Sequence, residues 1–249
     1  RRDGGGRIRR GACAGDRPAR AGAHYTKRRW AAAAGVACGP RAPHHRHMSP
    51  EPRTAPTDPT DPAAGGRLEG ALLVAAPAMG DPRFRQAVIY MCSHGEDGAM
   101  GLIVNKPATE LSFVDLLEQV GVPAGAGAEG FAVHFGGPVE VGRGFVLHSD
   151  DWEAPGATRP LPNGLALTAT VEILRAIAAG RGPERALLGL GYSGWGPGQL
   201  EGEILAHGWL TCPADADLVF GLSDGEKWEA ALRRIGVDPA LLSARGGSA

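Results

Sequence analysis

The chain has 249 residues, 43% of them hydrophobic and 21% charged, with a formal net charge of −1 at neutral pH. Length alone allows one large domain or two small ones. No run of about 18 apolar residues occurs, so the sequence predicts no membrane span. The near-zero net charge hides two oppositely charged parts, because residues 1–47 carry +10 and residues 67–249 carry −9.

The basic segment 1–47 holds twelve Lys or Arg against two Asp and shows no apolar periodicity. One interpretation is a tail that binds nucleic acid or an anionic membrane, or an Arg-rich targeting peptide. We favour another, in which these residues lie upstream of the true start, because Met48 is the first methionine. Residues 49–66 contain five prolines and little to bury. We therefore expect 1–66 to form a disordered N-terminal extension and 67–249 to form one domain.

The cysteines argue for a reducing compartment. Cys13 and Cys38 lie in the basic segment, and only Cys92 and Cys212 remain in the expected domain. These two are 120 positions apart and show no C-x-x-C spacing. This pattern is typical neither of a disulfide scaffold nor of a structural zinc site, and it favours the cytoplasm.

In the first half of the domain, short apolar stretches rich in strand-forming residues predict buried strands at 68–76, 87–92 and 101–105. The stretch 111–120 predicts a helix, because apolar residues recur there at helical spacing. Ser112 or Thr109 is available as its N-cap, and Gly121 is expected to end it.

In the second half, strands are predicted at 131–137, 142–149 and 185–195. The clearest helix is predicted over 167–179, opened by Thr168 and closed by Gly180. The segment 200–215 predicts one more strand and a capped turn, and 226–235 predicts a last helix ended by Gly236. Because strands and helices are interspersed without strict alternation, the pattern predicts an α+β domain with a mixed, bent sheet.

Cys92 and His94 form a C-x-H pair at the end of a predicted strand. Residues i and i+2 of a strand share a face, and a thiolate beside an imidazolium is nucleophilic or redox-active. The alternative is a buried structural cysteine followed by a loop histidine. Both interpretations stay open at the level of sequence.

Other catalytic and metal patterns are weak. The segment 191–195 superficially resembles a G-x-S-x-G nucleophile elbow around Ser193, but its last position is Trp195. Possible metal ligands are scattered, and none shows helical ligand spacing: His134, His148, His207, Asp150, Asp151 and Glu201. We predict no metal site.

The segment GYSGWGPGQLE, residues 191–201, is more informative as a binding surface. Its glycines permit close approach of a ligand, its aromatic rings offer flat apolar area, and its polar side chains add directional contacts. We expect it to line a cleft with the MGDPRF loop, 79–84, although the same glycines could simply shape a tight bend. The predicted ligand- or partner-binding residues are Met79, Asp81, Asn105, Tyr192, Trp195, Gln199 and Glu201. Neither a P-loop nor a Rossmann G-x-G-x-x-G pattern occurs, so no cofactor is expected.

Four blocks, in order, resemble the YqgE/AlgH family: 76–107 (APAMGDPRFRQAVIYMCSHGEDGAMGLIVNKP), 134–149 (HFGGPVEVGRGFVLHS), 167–204 (LTATVEILRAIAAGRGPERALLGLGYSGWGPGQLEGEI) and the paired 209–220 and 227–239. The resemblance spans nearly all of 67–249. It departs at Ser193, where GYAGW is the more usual form, and at the C-terminal ARGGSA, where a His-containing tail is usual. It implies a bacterial origin and a single α+β domain with a strongly curved, partly closed mixed β-sheet flanked by helices.

The resemblance implies little about activity. One branch is associated with regulation of alginate synthesis and is described as a transcriptional regulator, but no helix-turn-helix is apparent here and the domain is acidic. We therefore expect a non-enzymatic cytoplasmic binding or regulatory protein that affects transcription indirectly, through an unknown small molecule or protein. Direct nucleic-acid or membrane binding is not expected. The rival hypothesis is a thiol-dependent or hydrolytic enzyme that uses Cys92 and His94.

Overall fold

The computed structural model of the chain describes residues 67–238, so the expectations for 1–66 and for the C-terminal end of the domain lie outside the described residues. In the described part, nine strands and four α-helices follow the order β1 (Ala71–Ala75), β2 (Val88–Gly95), β3 (Gly98–Ile103), α1 (Phe113–Gln119), β4 (Val133–Phe135), β5 (Val139–Ser149), β6 (Thr158–Leu161), β7 (Leu165–Thr168), α2 (Val171–Ala178), β8 (Ala186–Trp195), α3 (Gln199–Leu205), β9 (Trp209–Pro213) and α4 (Asp224–Arg234). A 3-10 turn, Ala126–Ala128, and a π-helical turn, Asp217–Gly221, complete the set.

The start and the end of helix α1 are determined by residues close to it in the sequence. Ser112 is its N-cap, and its hydroxyl accepts the Asp115 N–H while the Asp115 carboxylate accepts the Ser112 N–H, each at 3.1 Å. This reciprocal capping satisfies two donors that a helix start leaves free. Gly121, with φ of 70°, follows the last turn, as predicted.

The helix predicted over 167–179 was wrong at its start. Residues 165–168 form strand β7 between β5 and β6, and α2 begins only at Val171, after Thr170 as N-cap. Thr168 is fully buried, with its hydroxyl 2.9 Å from His148 Nε2 and 2.8 Å from the Thr158 hydroxyl. A short apolar run fits a buried strand or a helix equally well, and here the tertiary partners decide.

Strand β6 and helix α3 were not predicted. Strand β6 contains Pro160, which lacks an N–H and is tolerated on an edge strand such as this one. Helix α3 contains Gly202, which weakens a helical pattern, and only Leu200 is buried among its residues. The strand predicted from Leu200 onward was therefore wrong over 200–205, which belongs to α3, and the strand of this region is β9, which begins after α3 ends.

The nine strands form one sheet in the order β6-β7-β5-β8-β3-β2-β1-β9, with β4 added parallel to β8 and the other pairs antiparallel. The sheet is strongly curled into a half-barrel, as the family resemblance implied, and the chain is a single α+β domain over the described residues. A register shift between Val139 and Gly144 in β5 breaks the ladder with β8, and a second lies between Met91 and Ser93 in β2. Such bulges bend a strand and increase the local twist.

Side chains, in addition to backbone ladders, hold the curled sheet together between the β6–β7 turn and the start of β1. The Tyr90 hydroxyl donates to the Pro162 carbonyl at 2.9 Å, and the Asn163 amide donates to the Gly70 carbonyl at 2.8 Å. Gly70 has φ of 83°, and a Cβ there would lie 2.5 Å from Pro162 Cβ. The turn can approach β1 this closely because position 70 is glycine.

Alternate side chains of the central strands enter two different cores. Leu72 and Val74 of β1 pack into the core that α4 covers, here called the α4 core, which includes Trp228. Leu73 and Ala75 point to the opposite face, the α3 core, where Trp195, Leu200 and Trp209 pack. A further core lies under α1 and α2. Because β1 is buried on both faces, helices are needed on both sides of it.

A buried charge network anchors the start of α4. Lys227, only 3% exposed, donates to the Val104 carbonyl at 2.7 Å and to Asp224 at 2.9 Å. Both oxygens of Asp224 lie 3.2 Å from His134 Nε2. Burial raises the pKa of Asp224, but hydrogen bonds from His134 and Lys227 lower it more, to about 2.

Asp224→Asn is expected to lower the free energy of unfolding by about 2 kcal/mol at neutral pH, the value of a carboxyl pKa lowered from 3.8 to about 2. A lowered folded-state pKa contributes stability that is complete above about pH 4 and is lost as pH falls towards 2. The difference between wild type and Asp224→Asn should therefore shrink over that window in urea titrations. Asp150→Asn, at an exposed carboxylate, is the control; a pH-independent difference for Asp224→Asn would contradict the assignment.

Gly70→Ala is expected to lower the free energy of unfolding by about 2 kcal/mol, since it combines left-handed backbone with overlap against Pro162. Gly202→Ala is the matched control, because nothing lies within 4 Å of its added Cβ and it sits inside α3. That control should stabilise the protein by about 0.5–1 kcal/mol. Equal urea midpoints for the two variants would show that the approach of the β6–β7 turn is not tight.

Candidate functional site

A polar cleft of about 760 Å³ opens where the start of β1, the β2–β3 hairpin, β6 and α3 meet. Its size is that of a small-molecule or peptide site. The residues that line this polar cleft are Arg67, Glu69, Ser93, His94, Gly95, Glu96, Asp97, Gly98, Arg159 and Glu201. A second cavity of about 550 Å³, beside the end of α2, is lined largely by glycines and by Phe131, Ile177 and Phe220.

Ion pairs form part of the wall of the polar cleft. Arg159 Nη2 of β6 lies 2.9 Å from Glu69 Oε1 before β1, so this pair joins segments 90 positions apart. On the other side, His94 Nε2 lies 2.8 Å from Glu201 Oε1 of α3. The cleft is therefore lined by charges of both signs, with carboxylates in excess.

Both ring nitrogens of His94 are engaged. Nδ1 accepts the backbone N–H of Leu68 at 3.1 Å, so Nε2 carries the proton and donates it to Glu201. The His94 side chain is 10% exposed, whereas that of Glu201 is 51% exposed. Hydrogen bonds from its own backbone amide and from His94 hold the pKa of Glu201 below the ordinary value. The pair is thus an oriented imidazole and a carboxylate that solvent or a ligand can reach.

Cys92 lies at the bulge in β2, between Met91 and Ser93, and its side chain belongs to the α4 core. It is fully buried, and its thiol donates to the Tyr90 carbonyl at 3.7 Å. Burial raises the pKa of Cys92 to about 12. His94 faces the polar cleft instead, and no hydrogen bond joins Cys92 to His94 in the described part of the chain. A neutral, enclosed thiol is the form that this geometry favours.

Two of the predicted binding residues meet at a carboxylate that the sequence did not reveal. Trp195 Nε1 and Gln199 Nε2 donate to Glu203 at 3.0 and 2.9 Å, and Trp209 Nε1 donates to the same carboxylate at 2.8 Å. The indole rings of Trp195 and Trp209 meet edge to face, with centroids 6.0 Å apart. Gln199 and Glu203 are four positions apart, so recognising α3 as a helix would have paired them.

Glu203 is an ionised acceptor in a partly buried setting. Burial raises its pKa, but the hydrogen bonds from Gln199, Trp209 and Trp195 lower it more, and the net shift is downward. A carboxylate that accepts several N–H groups is stabilised in its charged form. Glu203 therefore joins α3 to β8 and β9 at neutral pH.

The MGDPRF loop folds over this aromatic group. Met79 packs against the α3 core, and the Phe84 ring meets Trp209 edge to face at 5.5 Å. Asp81 forms an exposed ion pair with Arg83 at 2.6 Å. Met79 thus packs against the same core as Trp195, whereas Asp81 is engaged within its own loop.

Asn105 and Tyr192 lie apart from both groups. Asn105 accepts the Val88 N–H and donates to the Gln86 carbonyl, each at 2.8 Å, so it ties the loop before β2 to the end of β3. Tyr192 packs edge to face on Phe145 at 5.7 Å, against the α4 core. The predicted binding residues are therefore not gathered in one site, and Glu201 is the one among them that lines the polar cleft.

The candidate metal ligands are not brought together. Over residues 67–238, no group of three or more His, Cys, Asp or Glu is placed to hold a metal ion. His148 instead donates from Nδ1 to the Ser149 carbonyl at 2.7 Å, and burial lowers its pKa. Ser193 is 1% exposed in β8. No helix among the described residues is long and apolar enough to cross a membrane.

We expect Cys92 to resist alkylation by iodoacetamide at pH 7.5. A pKa near 12 leaves at least about a thousandfold less thiolate than in the unfolded chain, where the pKa is about 8.5. Peptide mass spectrometry of the native and the urea-unfolded chain measures labelling at this cysteine alone. Native labelling within about tenfold of the unfolded rate would contradict the burial argument and support thiol chemistry.

The AlgH-like family model (DUF179) matches residues 72–240. A UPF0301 protein of Bradyrhizobium diazoefficiens is 53% identical over 203 residues, which cover 79% of this chain and 95% of that protein. A UPF0301 protein of Ruegeria pomeroyi is 57% identical over 183 residues, or 73% of this chain and 99% of that protein.

Solved structures agree with this match. The solution structure of AlgH from Pseudomonas aeruginosa has a TM-score of 0.62 and 40% identity, and the match covers 80% of this chain and all of that one. A crystal structure of a Corynebacterium diphtheriae protein, at 21% identity and a TM-score of 0.54, covers 72% of this chain and 92% of that one, and shows the likeness of the fold alone. The family model, the relatives and the curled sheet together establish that this chain belongs to the YqgE/AlgH family.

Proposed function

We propose that this chain is a non-enzymatic cytoplasmic binding or regulatory protein whose ligand, a small molecule or protein segment with cationic groups, binds in the polar cleft. The observation that carries the proposal is a 760 Å³ opening with four carboxylates against two arginines in its wall. Any effect on transcription would then run through the bound partner.

The charge balance of the polar cleft favours a cation. Glu69 is already paired with Arg159, whereas Glu96 and Asp97 are exposed at the tip of the β2–β3 hairpin, and no ion pair joins either of them to another of residues 67–238. Ammonium and guanidinium groups bind carboxylates through charge-assisted hydrogen bonds. A lysine or arginine side chain could therefore enter between the hairpin tip and Glu201.

The same geometry gives little support to catalysis. Cys92 is enclosed in the α4 core, and both ring nitrogens of His94 already have partners. A general base needs a free nitrogen within hydrogen-bond reach of its substrate. His94 would have to lose Leu68 or Glu201 before it could act.

The charge of the domain also argues against direct binding of nucleic acid. Residues 67–249 carry a net charge of −9, and the polar cleft itself has more carboxylates than arginines. Proteins that bind nucleic acid present basic patches to the phosphates. A protein segment or a cationic small molecule fits the cleft better.

The test titrates the full chain with a tetralysine peptide and, as an uncharged control, with tetraserine. We expect tetralysine to shift the amide resonances of Ser93 to Gly98 in ¹H–¹⁵N spectra, with a dissociation constant that rises with salt. The double variant Glu96→Gln/Asp97→Asn should weaken binding about tenfold, since each exposed charge contact contributes up to about 1 kcal/mol.

The matched control variant is Glu118→Gln/Asp150→Asn, which removes the same two charges at exposed positions outside the cleft lining. It should bind tetralysine as the wild type does. Resonance shifts that map away from the hairpin, or equal weakening by both double variants, would refute the cleft as the binding site.

A further inference from the structure

Helix α3, one wall of the polar cleft, combines limited apolar packing, from Leu200 and Ile204, with polar contacts. It has seven residues, and Leu200 is the one that is buried. Gly198 at its start has φ of 70°, Gly202 lies in its middle, and Leu205 at its end is 80% exposed. A short helix with an internal glycine and a single buried anchor has little stability of its own. Its position therefore depends on the side chains that fasten it.

Two carboxylates of α3 fasten it on opposite sides. Glu201 reaches His94 at 2.8 Å in the polar cleft, and Glu203 accepts both indole N–H groups of Trp195 and Trp209. Residues two positions apart on a helix point about 200° away from each other. One short helix thus connects the cleft to the aromatic group below the MGDPRF loop.

The chain that leaves α3 extends this connection. His207, with φ of 59°, turns the chain, and the Gly208 carbonyl accepts the Ala76 N–H at 3.0 Å, just before the MGDPRF loop. Trp209 follows directly and packs against Phe84. A displacement of α3 would therefore move the indole of Trp209 and the ring that covers it.

We propose that α3 is a latch that couples the occupancy of the polar cleft to the Trp195–Trp209 pair and the loop above it; this regulation rests on the proposed binding function. A cationic group in the cleft competes with His94 for Glu201. When Glu201 changes partner, α3 keeps the packing of Leu200 and Ile204 and the hydrogen bonds of Glu203, and it loses its fastening on the cleft side. The helix then shifts against the two indoles, and the MGDPRF loop follows.

The coupling is testable in the full chain without any ligand. Glu201→Gln removes the cleft-side charge at a side chain that is 51% exposed, so the variant should fold. We expect the indole N–H resonances of Trp195 and Trp209 to move in ¹H–¹⁵N spectra, while those of Trp152 and Trp228, which pack elsewhere, stay in place. Single Trp→Phe variants assign the resonances, and Glu118→Gln is the charge-matched control.

Hydrogen exchange supplies a second measurement. In Glu203→Gln, the amides at 202–206 should exchange about tenfold faster than in wild type, because the charged acceptor of two indoles is lost. Exchange at α1 should not change. Indole resonances of Glu201→Gln that superimpose on those of wild type, or unchanged exchange at α3 in Glu203→Gln, would overturn the latch.

Tetralysine separates this inference from the proposed function. If both hold, tetralysine moves the Trp195 and Trp209 resonances of the wild type in the direction that Glu201→Gln does. Shifts at the β2–β3 hairpin without indole shifts would refute the latch and leave the binding site standing. Absence of any tetralysine shift would refute the proposed ligand class, while the ligand-free measurements would still decide the latch.

Discussion

Burial of the central strands on both faces is the constraint on which the rest of this structure depends. Leu72 and Val74 of β1 enter one core while Leu73 and Ala75 enter the opposite one, so neither side of the sheet can be left to water. Helix α4 covers one face, and α3 covers part of the other together with Trp195 of β8 and Trp209 of β9. The polar cleft exists because the curled sheet brings β6, the start of β1 and α3 to one opening.

The two helices that cover the sheet, α3 and α4, are held in place by different kinds of interaction. Helix α4 buries Trp228, Ala231 and Leu232 and adds an enclosed lysine that neutralises Asp224. Helix α3 buries one leucine and relies on carboxylates that solvent partly reaches. Apolar burial holds a helix regardless of what binds nearby, whereas a carboxylate can exchange one partner for another at small cost. This contrast separates a structural element from one that can respond to a ligand.

Two electrostatic features bear on the function of this chain: the ionised carboxylates of the polar cleft and the buried thiol of Cys92. Cys92 and His94 are two positions apart in β2, which has a bulge between Met91 and Ser93. The thiol lies in the α4 core, whereas the imidazole lines the polar cleft. Burial then raises the pKa of the thiol, while Glu201 stays ionised next to the imidazole. Fixed charges in the cleft and an enclosed Cys92 thiol are the two observations that favour recognition over thiol chemistry in the proposed function.

The sequence by itself determined the family, through four long blocks that resemble it. It also determined the α+β class, the buried strands β1 to β3 and the cap of α1, because these depend on short apolar runs and on side chains within four residues of one another. It did not distinguish β7 from the start of α2, since a short apolar run has no period of its own. Tertiary structure alone decided that Glu203 accepts from Trp195 and Trp209, that Arg159 reaches Glu69 across 90 positions, and that Cys92 is enclosed in the α4 core. Those contacts depend on the curl and register of the sheet, which arise from the packing of the whole domain and leave no local pattern in the chain.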